Sequence, residues 1–246
     1  MEFGSGAERD LADWDRIAPG YLDRAASPDG RIFLQFTEAV WKVIGDVRRQ
    51  RVLDLGCGPG WMSRALRDAG ARVRGIDGSS EMLRQAKNVC PEVEFLQRDL
   101  SRGLPYPKRS FDLVVSHMLV TAIPTVLDLF RSVRRCLARR GRFVFSLRHP
   151  CFYNFAMSRE EASGRAFRKV TGYLEPEVWR VSVFEGGHNH YHRSLTDYFE
   201  ALRASGLAVT RFVEPKTDPG ADEPDSGLRS FRASIPDFLV IEARPL

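Results

Sequence analysis

Between residues 51 and 147, short aliphatic and β-branched runs alternate with stretches whose apolar positions recur every three or four residues. The first pattern suits buried strands and the second suits helices laid against them. Strands are predicted over 51–55, 73–76, 93–96, 111–116 and 142–147. The intervening helices are predicted over 61–69, from the hydroxyl-rich start Ser79-Ser80-Glu81 to Pro91, and over 125–137. The last of these carries Val126, Leu129, Phe130, Val133 and Leu137 on one stripe, with Gly141 as its stop. Such alternation predicts an α/β protein whose parallel sheet is flanked by helices.

The pattern changes after residue 147. Residues 148–193 are rich in aromatics, glycine, proline and histidine and show no clean period. A stretch of that length is too long for a bare connector and is expected to form a substrate-side or lid insertion. A helix is predicted over 195–204, a strand over 207–213, a polar loop over 214–230 and a final strand over 238–242. Residues 7–48 read as helical and are expected to lie across the upper edge of the sheet as a lid. The core for cofactor binding is placed at 49–147, and the end of the sheet at 194–246. One domain is expected over 7–246, with no internal repeat.

Composition adds a few limits. Hydrophobic residues make up 43% of the 246, enough for a sizeable core. Lys+Arg exceeds Asp+Glu by 37 to 32, a formal charge of +5. Part of that excess, Arg131, Arg134, Arg135, Arg139 and Arg140, lies on predicted helix faces without interleaved aromatics, which argues against nucleic acid as a partner. No apolar run approaches the roughly 18 residues of a membrane span. Met1 to Gly6 lacks the basic-then-apolar order of a leader peptide and reads as a cloning scar, so a cytoplasmic protein is expected. Cys57, Cys90, Cys136 and Cys151 are scattered, and predict neither a disulfide framework nor a zinc site.

The sharpest local signal is Val52-Leu53-Asp54-Leu55-Gly56-Cys57-Gly58-Pro59-Gly60. A strand that runs into a glycine-rich turn and then a helix brings bare backbone close to a ligand. Asp77 ends the next strand about twenty residues on, where a carboxylate can accept from both ribose hydroxyls. Ser63 stands where a dinucleotide fingerprint would carry its last glycine, which argues against a pyrophosphate site.

The Asp54–Gly60 turn resembles the first motif of class I S-adenosylmethionine-dependent methyltransferases, and the order of elements over 51–147 matches that family. The resemblance implies a Rossmann-like, seven-stranded, mostly parallel sheet with an antiparallel last strand and helices on both faces. It implies S-adenosylmethionine as cofactor, S-adenosylhomocysteine as product and a small-molecule acceptor. Gly56, Gly58 and Gly60 would pass the methionine end of the cofactor, with Asp54 holding its amino group or organising the turn. Asp77, beside Gly78, would bind the ribose. Asp99 would meet the adenine amino group and Leu100 its face. Ser116, His117 and Met118 would fall among cofactor and substrate contacts. Trp14 and Tyr21 would belong to a covering segment.

Two later segments are similar to a subgroup of the ubiquinone- and menaquinone-biosynthesis kind: His149-Pro150-Cys151-Phe152 after the fifth strand, and His192-Arg193-Ser194-Leu195-Thr196-Asp197-Tyr198 before a helix. The second departs from that subgroup in having Ser194 where proline is common. Pro236-Asp237-Phe238-Leu239 also resembles its last strand. His149 and His192 are the candidate proton acceptors or orienting groups, because imidazole titrates near neutrality. Trp14, His117, Phe152 and Tyr191 are candidate acceptor contacts. Tyr153, Phe155, Tyr173, Trp179 and Phe184 are expected either to line an apolar pocket or to fill a lid's own core. His188, His190 and His192 alternate along one side of a predicted strand, but no matching carboxylate accompanies them and no metal is expected. A monomer or homodimer is expected, and the Arg- and Ala-rich composition associates with secondary metabolism. The rival reading is a cyclisation or rearrangement that uses the same cofactor without methyl transfer. A nucleic-acid methyltransferase is disfavoured, since Ser116-His117-Met118-Leu119 replaces the Asn/Asp-Pro-Pro-Tyr-type segment.

Overall fold

The computed structural model describes residues 7–26, 31–152, 157–182, 186–216, 231 and 233–246. Met1 to Gly6, Tyr153, Phe155, Phe184 and most of the 214–230 loop lie outside the described residues. The elements in order are α1 (Ala7–Ala26), α2 (Arg31–Ile44), β1 (Arg51–Leu55), α3 (Trp61–Asp68), β2 (Arg72–Asp77), α4 (Ser80–Val89), β3 (Glu94–Gln97), β4 (Phe111–His117), α5 (Val126–Cys136) and β5 (Leu137–Arg148). Then follow β6 (Met157–Arg159), β7 (Ala166–Arg168), β8 (Glu177–Val181), β9 (His188–His192), α6 (Leu195–Ala204), β10 (Leu207–Val213) and β11 (Phe238–Pro245).

Seven strands form one sheet in the order β10-β11-β5-β4-β1-β2-β3, with β11 antiparallel to both neighbours. The central strands are apolar on both sides because helices cover both faces. Phe130 from α5 and Phe143 and Phe145 from β5 pack at 4.7–5.6 Å between ring centroids on one face. On the other face, Val40, Val43 and Ile44 of α2 join Leu66, Val115 and Val240. The strand order reverses between β1 and β4, and a crevice opens there at the strands' carboxyl ends.

Three departures from the sequence expectation have physical causes. The predicted N-terminal lid divides: α1 runs over the strand ends against α4 and β9, whereas α2 is a sheet-covering helix. Gly141 does not stop a helix. The helix ends at Cys136, β5 starts directly at Leu137, and residues 138–141 form a bulge between the Phe111–Leu137 and Leu113–Arg142 pairs. The insertion is built from two antiparallel ribbons, β6–β7 and β8–β9, which stand outside the main sheet.

Candidate active site

One cavity of about 330 Å³ lies at the carboxyl ends of β1, β2, β4 and β5, roofed by α1 and walled by β9. The glycine turn supplies its inner end. Gly56, Gly58 and Gly60 all have positive φ. Gly58 lines the cavity, and a Cβ placed on it would project into open space, so the bare backbone leaves a cradle for a ligand. Gly60 serves packing instead: a Cβ there would come within 3.0 Å of the Ala86 backbone in α4.

Asp77 binds the turn to the neighbouring strand. Its Oδ2 accepts from Gly58 N at 2.9 Å and its Oδ1 from Ser79 N at 2.9 Å. Burial raises its pKa, and the surrounding backbone N–H groups oppose that shift. Asp54 is only 1% exposed and does not line the cavity. It accepts from Ser63 Oγ at 2.5 Å, which ties β1 to α3 beneath the turn. Burial pushes its pKa up to about 7. Ser63 therefore occupies the fingerprint position with a purpose of its own. Asp99 and Leu100 line the far wall, where Asp99 caps a short turn by accepting from Ser101 N at 3.0 Å.

The opposite half of the cavity is aromatic and imidazole-rich. Trp14 lies 4.5 Å from the His188 ring and 6.3 Å from Tyr21, and Tyr21 in turn stacks 6.4 Å from Trp61. His117 Nδ1 is 2.7 Å from Ser146 Oγ, which also accepts from Met118 N at 3.1 Å. All three groups are satisfied when Ser146 donates to Nδ1, leaving hydrogen on Nε2. Burial lowers the pKa of His117 to about 4, and the charge of Arg148 adds to the effect. His188 is lowered to about 4 and His190 to about 3, in both cases chiefly by burial. Met118 holds φ 62°, a strained value for a side chain of its size, where β4 turns into the cavity wall.

The other candidates lie elsewhere. His149 is 1% exposed, accepts from Cys151 N at 3.2 Å through Nδ1, and donates from Nε2 to Glu214 at 2.8 Å. Its ring stacks on Phe152 at 4.6 Å, and neither residue lines the cavity beside the glycine turn. His192 stacks on Trp179 at 4.8 Å and donates to Tyr173 O at 2.9 Å. Tyr191 donates to Asp10 at 2.6 Å, behind the wall. Ser116 is fully buried, with an Oγ that has no partner. Among the described residues no group of three or more metal-ligating side chains occurs, and no helix is long and apolar enough to cross a membrane.

Sequence reasoning singled out none of Asp10, Leu119, Thr121 and Arg148, although all four line the cavity. For Asp10 a signal existed: Asp10, Trp14 and Tyr21 fall on one face of α1 at helical spacing. Arg148 carries no such signal, because a basic residue at the end of a strand is ordinarily solvated.

A sheet with this strand order, a glycine cradle after β1 and an acid at the end of β2 define a class that binds an adenosyl nucleoside at the topological switch point. Residues 53–145 match the family model described as a methyltransferase domain. The chain is 32% identical over 174 residues to a demethylmenaquinone methyltransferase of Tropheryma whipplei, covering 68% of this chain and 69% of that one. It is 37% identical over 132 residues to a malonyl-[acyl-carrier protein] O-methyltransferase of Pseudescherichia vulneris, covering 53% of this chain and 52% of the relative, so it spans about half of that protein's length. The crystal structure of an S-adenosylmethionine-dependent methyltransferase from Mesorhizobium loti superposes with a TM-score of 0.73 at 30% identity, over 85% of this chain and 97% of the other. The chain belongs to the S-adenosylmethionine-dependent methyltransferase family.

Proposed function

We propose that this protein transfers the methyl group of S-adenosylmethionine to a small acceptor held in the outer half of the cavity. The observation that carries this reading is the continuity of one space. The same cavity joins Gly58, Asp77 and Asp99 to Trp14, His117 and His188. The donor brings a methyl carbon already activated by a sulfonium charge. Gly58 and its neighbours give it backbone room, Asp77 takes the ribose, and Asp99 with Leu100 takes the adenine. Tyr21 and Trp14 on α1 cover the donor and the acceptor side.

The protein's own contribution is placement. Holding two reactants close and in line supplies much of the rate in a displacement, and a base is needed only where the acceptor must lose a proton. The three imidazoles at the cavity, with pKa values of about 4, 4 and 3, are held neutral and serve as hydrogen-bonding walls. The relatives act, by name, on a malonyl group carried by acyl-carrier protein and on demethylmenaquinone, so the family frame leaves oxygen, nitrogen and carbon acceptors open. A reducing cytoplasm suits the buried free thiols of Cys57, Cys90 and Cys136.

Calorimetric titration with S-adenosylmethionine, S-adenosylhomocysteine and NAD tests the reading. Binding on the order of micromolar for the first two, with none for NAD, is expected. Binding of NAD alone, or of none of the three, would overturn it.

A further inference from the structure

A second cavity, of about 610 Å³, opens at the amino ends of β1, β2 and β4, the edge of the sheet opposite the glycine turn. Arg51, Arg67, Arg72 and Arg74 line it, with Glu92 as the carboxylate among them. Arg51 and Arg72 are partners across the β1–β2 pair, and Arg74 follows two residues along β2, so these three project from the same side of the sheet. Like charges on neighbouring strands repel, and an acid beside each would relieve that. Arg51 has one, forking onto Asp112 at 2.8 and 3.1 Å. Arg67 holds Asp68 and Glu92, each at 2.6 Å, and Arg74 meets Glu94 at 3.0 Å. Arg72 is exposed and, among the described residues, its side chain makes no hydrogen bond or ion pair. The acids around it are taken by other arginines. Exposed Arg49, Lys108, Arg109, Arg139 and Arg140 lie along the same edge, before β1, before β4 and in the β5 bulge, and add positive charge at the rim.

We propose that this cavity binds a terminal diphosphate, on a free anion or on a nucleotide, at a site separate from the methyl-transfer cavity. Arg72 offers a whole guanidinium fork, the shape that meets phosphoryl oxygens two N–H groups at a time. It stands between Arg51, which Asp112 fixes in place, and Arg74. Arg72 and Arg74 are about 6.5 Å apart along the strand, a gap that two linked phosphates bridge. The Arg74–Glu94 pair is exposed on both sides, and such pairs hold weakly, so Arg74 can turn to an incoming anion. Glu92 is neutralised by Arg67, and the rim cations raise the local concentration of anions. The volume falls in the range of small-molecule sites. The diphosphate inside NAD is esterified at both ends and presents no terminal phosphate, so NAD lies outside this class of ligand.

The experiment is calorimetric titration of the purified full chain, at fixed ionic strength and without divalent metal. Inorganic pyrophosphate is titrated with and without saturating S-adenosylhomocysteine, and ADP and sulfate in its presence. Saturable binding of pyrophosphate with a Kd below about 1 mM is expected, changed by less than about twofold when the methyl-transfer cavity is filled. ADP tighter than pyrophosphate by about tenfold or more would assign the diphosphate to a nucleotide, and equal affinity to the free anion. Arg72→Ala is expected to weaken pyrophosphate binding at least about tenfold, and Arg72→Lys to recover part of the loss, since it restores charge without the fork. Arg139→Ala, an exposed cation outside the cavity, should change the affinity by less than about twofold. Binding of neither pyrophosphate nor ADP, or of sulfate as tightly as pyrophosphate, would overturn the proposal. So would displacement of pyrophosphate by S-adenosylhomocysteine, or equal losses in Arg72→Ala and Arg139→Ala, which would reduce the effect to diffuse surface charge.

Discussion

The Tyr191 hydroxyl in β9 donates to Asp10 Oδ2 in α1 at 2.6 Å, joining residues 181 positions apart in the chain. It is one of a set of polar contacts that fasten the roof of the cavity on two sides. Toward the β8–β9 ribbon, Asn189 also donates to Asp10, and Arg180 pairs with Asp13. The two cations beside Asp13, Arg180 first, hold its pKa at about 2. Toward α4, Asp15 accepts from Ser79 Oγ at 2.6 Å and from Glu81 N at 3.0 Å. The roof helix thus reaches both walls through carboxylates placed at intervals along its length.

Tyr191→Phe removes one of Asp10's two donors and leaves a buried carboxylate oxygen unpaired. A loss of about 1–3 kcal/mol in folding stability is expected, read from urea midpoints at an unchanged slope. An unchanged midpoint would show that water replaces the hydroxyl and that the clasp contributes little.

Asp77→Ala deletes the group that orders the glycine turn and faces the donor end. S-adenosylhomocysteine binding should weaken by about 1.5–3 kcal/mol, the range for hydrogen bonds to a charged group. Equal affinity in calorimetry would remove Asp77 from the site.

Local chemistry was legible in the sequence wherever neighbours in the chain decide the outcome. The strand at 51–55, the Ser79 cap and the glycine turn follow from periodicity, capping and backbone freedom, and the structure places each as expected. The bulge in β5 was not legible, because it exists only through pairing with β4. The alternation of His188, His190 and His192 was visible, but not that Trp179 would cover two of the rings and Trp14 the third. The roles of Asp10 and Arg148 depend on partners more than thirty residues away, which no local pattern encodes.

His149 is the point where sequence and structure pull apart. As a candidate base, its loss should lower turnover more than cofactor affinity. With both ring nitrogens engaged and Glu214 held at 2.8 Å, His149→Ala is instead expected to cost about 1–3 kcal/mol of stability and leave S-adenosylhomocysteine affinity intact. A stable variant with collapsed turnover would restore the catalytic reading.

Stability should also depend on pH in a direction that the cavity sets. His117, His188 and His190 have pKa values lowered from 6.5 to about 4, 4 and 3, so between pH 6.5 and 4 the unfolded chain binds more protons at these sites than the fold does. Stability therefore falls as pH falls through that window and is level above it, as far as these three groups decide. Asp54 works in the opposite sense. Raised to about 7, it keeps its proton in the fold while the unfolded chain loses it above about 4, so its contribution declines as pH rises from 4 to 7. His149, also lowered by burial, adds to the imidazoles, and Asp77, also raised by burial, adds to Asp54, so four groups oppose two and the thermal midpoint is expected to drop from pH 6.5 toward pH 4. In Asp54→Asn, which keeps a partner for Ser63 Oγ but cannot titrate, the drop should be steeper. A midpoint flat across the window in both proteins would mean that water reaches these rings freely, and that the imidazole wall is not held neutral by burial.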